Sequence, residues 1–167
     1  MDLNKNIVFL GMMGSGKSSI GNLVSKKLNL RFVDVDNIIE DKSGMSISNL
    51  FEQKGEDYFR NLEEKITLKS LKTVGKVISL GGGAFINEKI RREVITNHLS
   101  FWLYWDESIL LKRIQNSKKR PIAFKSTDRE IRQLIKKRSK IYSKAEFKIN
   151  CNKLTKTEIL KKIIISL

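Results

Sequence analysis

Residues 6–19, "NIVFLGMMGSGKSS", join a short β-branched and aromatic run to a glycine-rich turn that ends in Lys17-Ser18. Gly11 to Ser18 satisfies the pattern G-x-x-x-x-G-K-[ST], placed after a strand-like run and before a helix-like one. Glycines at these places let the backbone take turns and approaches that a Cβ would block. Consecutive amide N–H groups, reinforced by the positive end of the next helix, then form a cradle for phosphates. In this pattern the lysine reaches the outer phosphates and the serine hydroxyl serves a Mg²⁺ ion. Gly14, Ser15, Gly16, Lys17, Ser18 and Ser19 are therefore the nucleotide-binding candidates.

The rest of the chain alternates in the same way. "NIVFL" (6–10), "RFVDV" (31–35), "KVISL" (76–80), "SFWLYW" (100–105) and "EFKIN" (146–150) read as strands. Helical periodicity fills 17–28, 56–72, 88–96, 107–116, 128–144 and 155–167. Strands separated by helices imply a parallel sheet covered on both faces. The expected fold class is thus α/β, one domain over residues 1–167, with ligands gathered beyond the C-terminal ends of the strands. No apolar run is long enough to span a membrane, and a single cysteine, Cys151, fits a reducing compartment. The net charge of +15 raises the question of nucleic acid. The lysines are scattered without aromatic interleaving, which reads instead as solvated helix faces.

A phosphate loop alone serves hydrolysing switches, small-molecule kinases and nucleic-acid ATPases. Many hydrolysing members carry a metal-assisting acid after the third strand, but here "VISL" runs into Gly81-Gly82-Gly83. The acids stand after the second strand instead, as Asp34 and Asp36 in "FVDVDN", and this favours a kinase. Two residues apart on a strand, both carboxylates would face one side, one toward a metal and the other toward an acceptor hydroxyl. The competing reading is that these acids merely cap the following helix. The glycine triplet suggests a place where a ligand approaches the backbone, against the plainer reading of a flexible turn. Residues 116–129 carry five cations around the chain's one proline and read as a lid, or else as a solvated loop.

"GSGKSS", "DVD", "FRNLEE", "LGGGA", "KRP" and "KKRSKIY" occur in this order from residue 7 to about 150. Together they resemble the shikimate kinase family of small phosphate-loop enzymes. The resemblance implies a three-layer α/β/α fold with a five-stranded parallel sheet in order 2-3-1-4-5. It implies ATP as co-substrate, Mg²⁺ as metal and transfer of the γ-phosphoryl group to the shikimate 3-hydroxyl. By the same resemblance Lys17, Asp36 and Arg120 are catalytic, and Ser18 and Asp34 serve the metal. Arg60 and Arg138 hold the acceptor carboxylate, beside Asp36 and the backbone of Gly81, Gly82 and Gly83. Arg113 stacks on adenine, and Arg120 reaches the ATP phosphates from a lid of about residues 116–127. The acceptor-binding segment would span about residues 36–62.

Planar guanidinium groups suit a carboxylate, and Glu63, three residues after Arg60 on one helix, can orient it. Seen alone, each arginine reads equally as half of a surface ion pair. Asn152 and Lys153 are placed near the base, whereas His98, Trp102 and Trp105 read as packing. The expectation is a cytoplasmic monomer whose partners are ATP and shikimate, with neither nucleic acid nor membrane. The alternative is a related kinase for another hydroxylated acid such as gluconate.

Overall fold

The structure, a computed structural model, describes residues 4–115 and 126–167. Its spine is strand β1 (Ile7–Leu10), in which all four side chains are buried. That follows from its central place, since a strand with neighbours on both edges and helices on both faces has no wet side. β3 (Lys76–Ser79) lies along one edge of β1 and β4 (Leu99–Tyr104) along the other. β2 (Arg31–Asp34) and β5 (Phe147–Asn150) close the two edges, giving a wholly parallel sheet in the order 2-3-1-4-5. Register aligns Phe9, Phe101 and Phe147 across three strands. Their rings sit 5.8 and 4.6 Å apart, so aromatic packing ties the second half of the sheet to the centre.

Helices supply the crossovers. α1 (Lys17–Leu28) packs on β3 and on the final helix α7 (Lys156–Ile165). α4 (Glu88–Asn97) packs on β4 and on the long α3 (Ile47–Leu71). α2 (Val35–Ser43) and α5 (Glu107–Gln115) follow β2 and β4, and α6 (Asp128–Tyr142) precedes β5. Thr127–Glu130 and Thr155–Glu158 form reciprocal capping boxes that start α6 and α7, each worth about 1 kcal/mol.

The strands and helices expected from the sequence appear within a few residues of their predicted bounds. The exceptions cluster between β2 and Phe59. There the chain forms α2, foreseen only in the capping alternative, and the first part of α3, which was not expected as helix. α3 is broken at Gly55 (φ 83°, ψ 169°), a conformation only glycine adopts readily. Most of the proposed lid lies outside the described residues.

Candidate active site

β1 delivers the phosphate loop and α1 receives it at Gly16, whose left-handed φ of 88° turns the chain into the helix. Lys17 is buried and its ammonium donates to the carbonyls of Gly11 (3.0 Å) and Met12 (3.1 Å), so it lies folded across the hollow of the loop. Ser18 is exposed on the first turn of α1, and Gly14 is exposed at the crest. Ser15 faces inward. Its N–H closes a turn on Met12 (3.1 Å), and its hydroxyl is buried without a partner among the described residues. Ser19 is half-buried behind Ser18. Arg113 on α5 places its guanidinium 3.6 Å above the Trp105 ring and donates to the Gly14 carbonyl (3.4 Å). Trp105, read from sequence as packing, also donates its indole N–H to the Ser15 carbonyl (2.9 Å).

The two aspartates do not share a strand. β2 ends at Asp34, which is the N-cap of α2, and Asp36 already sits in the first helical turn. The strand-face argument therefore fails, and the capping alternative holds for Asp34. Its Oδ1 accepts from the N–H groups of Asp36 (3.0 Å) and Asn37 (3.4 Å). Asp36 instead enters a pocket with Met13, Phe51, Phe59, Arg60, Glu63, Gly82, Gly83 and Arg138. This pocket opens beside the phosphate loop, since Met13 belongs to both.

The glycine triplet is what lets this pocket close. None of its members has a positive φ, so freedom of the backbone is not the reason for glycine. Sterics are. A Cβ on Gly81 would lie 2.6 Å from both Asp36 Oδ1 and Glu63 Oε1, and one on Gly83 would overlap the Arg60 guanidinium. Charged side chains, more than a ligand alone, occupy the space beside the triplet. Gly82 turns its carbonyl toward α6, where Arg138 Nη1 (3.2 Å) and the Tyr142 hydroxyl donate to it. Tyr142, unremarked in the sequence reading, lies one helical turn past Arg138 and for that reason shares its target.

The two arginines are held in opposite ways. Arg60 bonds to Glu63 (2.7 Å) and Glu56 (3.2 Å) along α3, and rests on the rings of Phe51 and Phe59 (5.8 and 5.1 Å). Burial pulls its pKa down, yet the Glu63 and Glu56 carboxylates more than offset that and hold it above the usual value. Glu63 is nearly fully buried, and burial pushes its carboxyl above the usual range although Arg60 pulls it back. Arg138 is only 8% exposed and has no carboxylate at ion-pairing distance among the described residues. The surface-pair reading therefore fails for it. A buried guanidinium without an ion pair is costly, so this position is suited to accept an anion.

Of the remaining candidates, Arg120 lies outside the described residues. Asn152 spends its side-chain oxygen on the Asp106 N–H (2.9 Å), so it braces two strand ends rather than reaching outward. His98 and Trp102 are core groups, as expected. The lone thiol of Cys151 is fully buried and pushed up to about 12 by desolvation, so it is inert.

Comparison with known proteins agrees with this geometry. A family model described as shikimate kinase matches residues 13–167. A shikimate kinase of Sulfurihydrogenibium sp. (strain YO3AOP1) is 40% identical over 160 residues, covering 96% of each chain. The crystal structure of shikimate kinase from Aquifex aeolicus superposes with a TM-score of 0.86 at 37% identity, covering 96% of this chain and 95% of that one. The Acinetobacter baumannii shikimate kinase, solved in complex with shikimate, gives a TM-score of 0.90 at 29% identity, covering 96% and 90%. On these grounds the chain belongs to the shikimate kinase family.

Proposed function

We propose that this cleft transfers the γ-phosphoryl group of ATP to the 3-hydroxyl of shikimate, with the residues above in the following roles. The observation that carries the reading is the pocket in which Arg138 and Arg60 converge beside Asp36, next to the phosphate loop. A ring acid fits such a pocket by its carboxylate on the guanidinium forks and its hydroxyls toward Asp36. Of the five donors of Arg138, the described contacts engage only Nη1, which leaves donors for the carboxylate. Phe51 and Phe59 give the ring an apolar wall while keeping Arg60 flat against them.

As the acceptor oxygen attacks phosphorus, a new O–P bond forms and the bond to the β-phosphate oxygen breaks, releasing ADP. Asp36 takes the hydroxyl proton. Lys17 leaves its two carbonyl partners, or shares them, to meet the phosphate charge. The loop amides and Arg120 add positive charge where negative charge moves. This is chiefly positioning chemistry, as phosphoryl transfer requires.

The donor set fits Mg²⁺. Among the described residues no three His, Cys, Asp or Glu side chains gather around a metal position. Ser18 offers an exposed hydroxyl and Asp34 a carboxylate with only Oδ1 given to its cap. Two hard oxygen donors suit an ion that brings phosphate oxygens and water as its other ligands. When bound, the ion neutralises the phosphate charge. No helix among the described residues is long and apolar enough to cross a membrane.

An ADP-release assay over a panel of acceptors tests the reading. Turnover is expected with shikimate and not with gluconate. Turnover on gluconate alone would overturn it.

A further inference from the structure

Trp105 follows β4 directly, is 7% exposed, and joins two parts of the nucleotide side that are far apart in sequence. Its indole N–H holds the Ser15 carbonyl at 2.9 Å, and its face carries the Arg113 guanidinium at 3.6 Å. Arg113 in turn touches the Gly14 carbonyl at 3.4 Å, so the pair grips neighbouring peptides of one loop. An aliphatic side chain at position 105 would fill core space but could do neither.

The bond to Ser15 acts on the loop through peptide planarity. The peptide between Ser15 and Gly16 is trans, so a carbonyl pinned to Trp105 turns the Gly16 N–H away from it. That fixes one amide of the phosphate cradle before any phosphate arrives. The contact with Arg113 acts on entropy. A free arginine carries about 2 kcal/mol of rotamer entropy, and stacking on an indole spends it in advance. Arg113 is exposed as a residue while one guanidinium face lies on Trp105.

We propose that Trp105 is a positioning residue of the nucleotide site. It locks the phosphate loop through Ser15 and presents Arg113 as a flat, ready-made platform for the base. The second part rests on the reading of Arg113 as the residue that stacks on adenine. The two parts act on different portions of the ligand, which makes them separable.

The test is calorimetric titration of ADP and of inorganic tripolyphosphate, in Mg²⁺ buffer, into wild type, Trp105→Ala, Trp105→Phe and Arg113→Ala. Circular dichroism checks folding, and shikimate binding supplies an internal control. Trp105→Ala is expected to weaken ADP about tenfold and tripolyphosphate about threefold. Trp105→Phe keeps a stacking face without the N–H, so it recovers most ADP affinity while retaining the tripolyphosphate loss. Arg113→Ala is expected to weaken ADP more than tripolyphosphate, because its hold on Gly14 is one long contact. Wild-type ADP and tripolyphosphate affinity in folded Trp105→Ala would overturn the proposal. Should that variant fail to fold, wild-type tripolyphosphate affinity in Trp105→Phe would overturn the loop half. Wild-type ADP affinity in Arg113→Ala would overturn the platform half together with the role given to Arg113. The ADP and tripolyphosphate titrations do not depend on the acceptor, so a failed shikimate assay leaves them standing, with circular dichroism as the remaining control.

Discussion

As proposed above, the loop that holds the phosphates comes from eight consecutive residues, Gly11 to Ser18, while the acceptor pocket draws on Asp36, Phe51, Arg60, Gly82 and Arg138 from four separate stretches. On the donor side the working groups are chiefly backbone amides and carbonyls, shaped by glycine and stapled by Lys17. On the acceptor side they are charged side chains buried against one another, two cations with two carboxylates. A polyphosphate, which every nucleotide presents alike, needs only a local loop. A particular ring acid needs groups at fixed separations, and only tertiary structure supplies those.

Substitutions at the two chemical poles should break the halves apart most strongly. Lys17→Ala is expected to lower turnover by about 10³ while shikimate still binds within about twofold of wild type. Asp36→Asn should lower turnover by about 10² to 10³ with ATP affinity retained. Steady-state rates combined with direct titration of each ligand check both. Turnover near wild type in Asp36→Asn would remove its role as base. Loss of shikimate binding in Lys17→Ala would show that the halves are not independent.

Within the acceptor half, the contrast between the arginines gives the next largest effect. Arg138 is buried without a carboxylate partner among the described residues, whereas Arg60 already has two. The ligand's carboxylate should therefore be worth more to Arg138. Arg138→Ala is expected to raise the shikimate KM about 100-fold and Arg60→Ala about tenfold, with the ATP KM nearly unchanged in both. The reverse order would mean that the Glu56 and Glu63 pairs prepare Arg60 rather than satisfy it. Equal losses for ATP and shikimate would remove both from the acceptor clamp.

The same contrast explains what the sequence could reveal. The phosphate loop, the sheet order and the arginines were legible because motif and family resemblance place them by position in the chain. Asp34 and Asp36 were misassigned to one strand because nothing in "FVDVDN" shows that Asp34 will end β2 and cap α2. The helical stretch from Ile47 to Lys54 was missed because a glycine at 55 disguises a break as an end. Trp105 looks like packing in the sequence, and Tyr142 draws no reading of its own, because their partners, Ser15 and Gly82, are 90 and 60 residues away. The triplet at Gly81–Gly83 reads in the sequence as a place where a ligand nears the backbone, whereas the structure brings side chains there. What approaches it, Asp36, Glu63 and Arg60, could be seen only once the fold brought them there.

Glu63 offers the smallest effect and the finest test of how the acceptor half is balanced. Burial raises its pKa and Arg60 lowers it, with burial the larger influence. A carboxyl whose folded pKa exceeds its unfolded one favours folding most when protonated. Its contribution is therefore full below the unfolded value, near 4.5, and is lost as pH rises through the folded value. Glu63→Gln stays neutral throughout and still accepts a hydrogen bond from Arg60. Denaturant melts of both proteins from acid to neutral pH should then show wild type losing ground to the variant as pH rises. A wild type that gains ground instead would mean that pairing with Arg60 outweighs burial. The acceptor pocket would then be held together by its charges rather than merely tolerating them, and Arg60 would have less positive charge to offer an incoming carboxylate than Arg138 by a still wider margin.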